Sequence, residues 1–102
     1  MPNLDLSAER IEAISAALNY YADHFPESFE GLSALQLLVD ISRQKTSLNE
    51  KDLRTLGIAL YFYRDNGDQE FDDLDTSEQK TFLANRKIVN SILRDMRHAF
   101  ET

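Results

Sequence analysis

The sequence contains no cysteine, which excludes thiolate catalysis, zinc–thiolate sites and disulfide staples together. Its three glycines are scattered, so no glycine-rich loop exists to cradle a phosphate. No apolar run approaches the ~18 residues that a membrane-spanning helix needs. Met1-Pro2-Asn3-Leu4-Asp5 lacks the basic start and apolar stretch of a signal peptide, and the expected location is cytoplasmic. Basic residues are in the minority, 11 against 18 acidic ones, for a net charge of −7. At long range such a chain repels nucleic acid and anionic membrane. Alternating apolar runs bounded by hairpin turns are also missing, so strands are not expected.

What is present is enough for a core. Hydrophobic residues make up 42% of 102 residues, which suits one helical domain over 1–102 with an expected stability of roughly 5–10 kcal/mol. The charge is uneven: residues 1–64 carry −3, residues 65–75 carry −6 and residues 76–102 carry +2.

The punctuation predicts four helices. The first spans about Ala8 to Phe25, with Ser7 as its cap and Ile11, Ile14, Leu18, Tyr21 and Phe25 in one stripe, ended by Pro26. The second spans about Phe29 to Gln44 with Ser28 as its cap, and its apolar residues cover well over half the circumference. Lys45-Thr46-Ser47 forms a turn, and Ser47 with Glu50 matches a capping box opening a third helix that runs to about Arg64. Leu53, Leu56, Leu60 and Tyr63 form one stripe there, with Ile58 and Phe62 on another side. Asn66-Gly67 suits a left-handed stop, residues 66–75 read as a loop, and Thr76 with Gln79 matches a second capping box. The fourth helix runs to about Phe100, with Phe82, Val89, Ile92, Leu93, Met96 and Phe100 on one face. The expected fold is all-α, a compact four-helix bundle with a central hairpin of the second and third helices.

Candidate chemistry is sparse. Asp65, Asp68, Glu70, Asp72, Asp73 and Asp75 suggest calcium, but counting back from Gly67 as the sixth position of an EF-hand loop puts Phe62 at the first ligand, so the match fails. Asp95 and His98 have i, i+3 spacing yet share the polar side of the fourth helix. His24 lies off the apolar stripe of the first. No metal or cofactor is expected, nor catalysis. Residues Leu35 to Ile58, with Glu50-Lys51-Asp52-Leu53-Arg54-Thr55-Leu56-Gly57-Ile58 after the turn, resemble the first two helices of winged-helix regulators over about a quarter of the chain. A recognition helix needs exposed cations, whereas Ala59-Leu60-Tyr61-Phe62-Tyr63 and the acidic segment follow here.

Surplus apolar surface is the remaining signal. Leu37 and Ile41 of the second helix, and Ile58 and Phe62 of the third, fall off their main stripes, and Tyr20 and Tyr61 add amphipathic rings. These six residues are the candidate partner interface of a non-catalytic protein-interaction module, docking through helix faces on a protein partner or on itself as a homodimer. A second reading is a small acidic inhibitor or immunity-type protein that covers a basic target through Asp68, Asp72 and Asp73. A third is weak nucleic-acid binding, or association with a DNA regulator, through Lys80, Lys87 and Arg94 on one side of the fourth helix.

Overall fold

The computed structural model describes residues 7–43 and 48–101, with the backbone alone for 68–70 and 98–101. It is an all-α bundle of α1 (Ala8–His24), α2 (Phe29–Ser42), α3 (Glu50–Asn66) and α4 (Thr76–Glu101), with a 3₁₀ helix at Gly67–Asp73 between the last two. The radius of gyration, 13.1 Å, is that of a compact chain of this length. Among the described residues no helix is long and apolar enough to cross a membrane.

The helix ends follow from short-range chemistry. Ser7 caps α1, its Oγ accepting from the Arg10 N–H at 3.4 Å. Pro26 forces Phe25 out of helical geometry, to φ −132° and ψ 57°. Ser28 then opens α2, its Oγ accepting from the Gly31 N–H at 2.9 Å and its hydroxyl donating to the Phe25 carbonyl at 3.0 Å. The expected capping box at Ser47 and Glu50 is displaced by one at Asn49 and Asp52. The Asp52 N–H donates to Asn49 Oδ1 at 2.8 Å, and the Asn49 N–H donates to Asp52 Oδ2 at 3.2 Å. Starting there puts the buried Leu48 just before the cap and the buried Leu53 one turn in, the two positions of a hydrophobic staple. Ser47 and the Lys45-Thr46 turn lie outside the described residues.

The loop expected over 66–75 is largely the 3₁₀ helix. Gly67 does not take up the left-handed conformation; its φ of −60° and ψ of −29° carry the chain straight on. Glycine is needed there for space, because a Cβ would sit 2.2 Å from the Phe82 ring. The cap of α4 is Asp75, one residue before the expected Thr76. Its Oδ1 accepts from the Glu78 N–H at 2.8 Å. Those hydrogen bonds hold the Asp75 carboxyl below the usual range, while sharing a bond with Asp75 and facing its charge push Glu78 up. Gln79 donates from Nε2 to the Phe71 carbonyl at 3.0 Å and ties the 3₁₀ helix to α4.

α2 and α3 pack together as the expected hairpin, and α3 holds the centre with α1, each of these two touching all three other helices. α2 covers one side of the α1–α3 pair and α4 the other. Fully buried Ala13 and Ala17 on α1 and Ala59 on α3 permit close packing, and Ile14, Leu18, Leu56 and Leu60 fill the space around them. Arg10 clamps α1 to α4, pairing with Asp95 at 2.6 Å and donating to Ser91 Oγ at 3.1 Å.

The facing of α2 corrects the sequence reading. Leu37 and Ile41, expected off the main stripe, are 2% and 3% exposed and belong to the core. Phe29, Leu32, Leu35 and Val39 point outward instead, at 69%, 54%, 40% and 43%. The cause is Gly31 with Ala34: both are buried, and they let this side of α2 close on its neighbours. Leu37 and Ile41, one and two turns further along the same side, are carried inward with them.

Candidate functional site

A concavity of about 860 Å³ among the described residues is a groove along the outer side of α3. α3 supplies its floor through Leu53, Arg54, Gly57, Ile58 and Tyr61, adds Phe62 to one wall, and carries the groove on to Asp65 and Asn66. Fourteen helical residues at 1.5 Å each make it ~20 Å long. Tyr21 and Phe25 from the end of α1 form one wall, and Leu93, Met96 and Arg97 from α4 form the other. Ile58 and Tyr61 stay open to solvent, at 40% and 45% exposure.

The first wall is rigid because its rings interlock. Phe62 has the rings of Tyr20, Tyr21, His24 and Phe25 around it at centroid distances of 5.2–5.4 Å. Tyr20 donates from its hydroxyl to the Asn66 carbonyl at 3.2 Å, and His24 donates from Nδ1 to the Tyr20 carbonyl at 2.9 Å. Burial first, and then the charge of Glu30, raises the Tyr21 hydroxyl above its ordinary value.

The other side of the groove is cationic. Tyr61 lies under the Arg64 guanidinium, 4.7 Å from the ring centroid, and Arg64 Nε donates to Asp65 Oδ1 at 2.9 Å. A smaller depression of about 290 Å³ adjoins at Tyr61, Leu93 and Arg97 and adds Arg64, Asn90 and Arg94. Four arginines, at 54, 64, 94 and 97, therefore line the two depressions against one carboxylate, Asp65, on a chain of net charge −7. Arg54 and Arg94 form no ion pair among the described residues.

Gly57 lies in the middle of this floor. Glycine inside a helix costs ~0.5–1 kcal/mol relative to alanine. The packing does not require it, since a Cβ would meet only the Met96 methyl, at an ordinary 3.6 Å. Gly57→Ala should therefore stabilise the fold by about 0.5–1 kcal/mol in denaturant titration, while raising the groove floor by a methyl group.

Of the six expected interface residues, Ile58 and Tyr61 meet in the groove as open side chains. Phe62 is half-buried in its wall, and Tyr20 is half-buried behind that wall. Leu37 and Ile41 are elsewhere, in the core. Asp72 and Asp73 are exposed on the 3₁₀ helix and Lys80 and Lys87 on α4; no ion pair joins these acids to Lys80, Lys87 or Arg94 among the described residues. Arg94 alone of those cations reaches the site. The side chains of Asp68, His98 and Phe100 lie outside the described residues. Gly57, Arg54, Phe25 and the outer face of α2 were not singled out from sequence. Arg54 and Ile58 at i, i+4 were a readable signal for the floor, but Phe25 looked like a core residue until Pro26 turned the chain.

A smaller cavity, about 310 Å³, lies between Tyr20, Tyr63, Gly67, Leu74, Phe82 and Asn85. Its buried polar groups satisfy each other: burial raises the Tyr63 hydroxyl, and a hydrogen bond with Asn85 pulls the other way. No group of three or more metal-ligating side chains converges among the described residues. No protein-family model, curated protein or solved structure matches this chain.

Proposed function

We propose that this chain is a non-catalytic protein-interaction module that docks a helical segment along α3. The observation that carries this reading is the open Ile58–Tyr61 pair over a glycine floor, bordered by arginines. A ~20 Å groove that leaves these side chains two-fifths exposed is long and shallow, a shape that fits an amphipathic helix better than an enclosed small molecule. Completing the burial of Phe25, Ile58 and Tyr61 supplies roughly 1 kcal/mol each, less than the ~4–15 kcal/mol cost of association. The apolar face of the docked helix, buried in the same contact, must supply the remainder, and the arginine border sets register and speeds encounter.

The test compares proteins captured by the immobilised wild type, by Ile58→Glu and by the double variant Asp72→Asn/Asp73→Asn, each first checked for an unchanged thermal transition. The groove reading expects partners lost with Ile58→Glu and kept with the double variant. The reverse pattern would support the acidic-inhibitor reading. Capture that ignores both changes would end the groove reading.

A further inference from the structure

The cations along the groove are gathered on its α4 side. Arg64, Arg94 and Arg97 line the depression of about 290 Å³ that shares Tyr61, Leu93 and Arg97 with the groove, and Asn90 completes its polar lining. No carboxylate lines this depression. The acids close by in sequence are placed elsewhere. Asp65 accepts the Arg64 Nε–H at 2.9 Å, Asp95 pairs with Arg10 at 2.6 Å, and Glu50, one turn before Arg54, lines neither hollow. Between Gln79 and Arg94 the chain has four cations and no acid.

The opposite wall differs. Between Ile11 and Ser42 there are five acids and no Lys or Arg, so Tyr21 and Phe25 come from a stretch without either. Glu30 is near enough to Tyr21 to act on its hydroxyl. Lys51 of α3 is held over the Phe29 ring at 5.4 Å and lines neither hollow.

Resting on the groove as the docking surface for a helical segment, we propose that this segment is acidic along one flank, and that its carboxylates seat among Arg64, Arg94 and Arg97. Three guanidinium groups around one hollow repel one another, and a carboxylate between them replaces repulsion with attraction. Arginine also holds a carboxylate through two parallel N–H bonds, which fixes its position. The hollow shares Leu93 and Tyr61 with the groove, so a helix that lays its apolar face on Ile58 and Tyr61 brings the adjoining flank over the arginines. Arg54, ten residues before Arg64 and ~15 Å away along α3, takes a further carboxylate near the other end of the segment. The flank that faces Tyr21 and Phe25 meets rings and gains nothing from negative charge. Nucleic acid fits less well: a duplex carries one charge per ~1.7 Å, meets the net −7 of the whole chain, and has no apolar face for Ile58.

The test selects binders of the immobilised full chain from a displayed library of helix-forming peptides. The peptides are about sixteen residues long, enough to span the groove, and their flanks vary among acidic, neutral and basic residues. Only peptides lost with Ile58→Glu are kept, and these should carry carboxylates on one flank. Their Kd should rise about fivefold with Arg94→Glu at ~50 mM salt and much less at ~0.5 M. Lys80→Glu makes the same change in net charge away from the hollow and should leave Kd within about twofold. Replacing the flank carboxylates by lysine should reverse the preference, so that the peptide binds Arg94→Glu more tightly than the wild type. Ile58-dependent peptides that are neutral or basic, or acidic ones indifferent to Arg94→Glu, overturn the inference while the groove keeps its role. If no peptide depends on Ile58, the groove reading falls and this inference falls with it. A single-stranded oligonucleotide that binds through Arg94 and ignores Ile58→Glu overturns it too, by assigning the arginines to phosphates.

Discussion

Leu37→Ala should lower stability by roughly 2–5 kcal/mol, while Leu32→Ala should change it by less than about 1 kcal/mol. Both are leucines in one helix, five residues apart, with equal transfer energy. The difference is position: Leu37 is enclosed by the core and Leu32 is more than half exposed. Truncating Leu37 removes apolar contacts and leaves a cavity that neighbouring Ala34 and Ile41 cannot fill without moving backbone. For a chain of this size, 2 kcal/mol lowers Tm by about 8–16 °C, which a thermal melt resolves easily. A large loss at Leu32 with little at Leu37 would mean that α2 is rotated by about half a turn. The groove, which α2 does not line, would survive that result.

This pair of leucines marks where the sequence stopped being legible. α4 was readable because its polar and apolar residues separate cleanly, and Phe82, Val89, Ile92, Leu93 and Met96 are buried as their spacing requires. The stripe of Leu53, Leu56, Leu60 and Tyr63 on α3 was readable for the same reason. α2 has apolar residues on nearly every side, so periodicity named no face and large side chains outvoted small ones. Small residues decided it instead: Gly31 and Ala34 let backbone approach backbone, and the rotation of the whole helix follows. Caps shifted by one or two residues because Asn49 and Asp75 are as good at the task as Ser47 and Thr76.

The candidate site was half legible. Ile58 and Tyr61 stood out as excess apolar surface, and they remain its open residues. Of the arginines only Arg94 stood out, because Arg54 and Arg64 come from α3 and Arg94 and Arg97 from α4; only the packing of those helices gathers them. Phe62 looked equivalent to Ile58 on a helical wheel, yet the Pro26 turn brings Phe25 back beside it. A Phe62→Ala change would therefore report on the fold as much as on docking, and Ile58 is the cleaner probe.

Gly31→Ala should destabilise the protein by about 2–3 kcal/mol, although alanine is the better helix former by ~1 kcal/mol. A Cβ at position 31 would lie 1.8 Å from the Phe25 carbonyl oxygen and 2.9 Å from its carbon. Both are backbone atoms, and that oxygen already accepts from the Ser28 N–H at 3.3 Å and hydroxyl at 3.0 Å. No rotamer change relieves the overlap. The α1–α2 corner must open, which breaks the Ser28 hydrogen bonds and lifts Ala34, Leu37 and Ile41 off the core. Gly57→Ala provides the internal control, since the same substitution in α3 meets only a flexible methyl and should stabilise. Urea titrations of the two variants should shift in opposite directions with an unchanged m-value. Equal, small gains from both would mean that the corner is not closed on Gly31, and the rotation assigned to α2 would lose its cause.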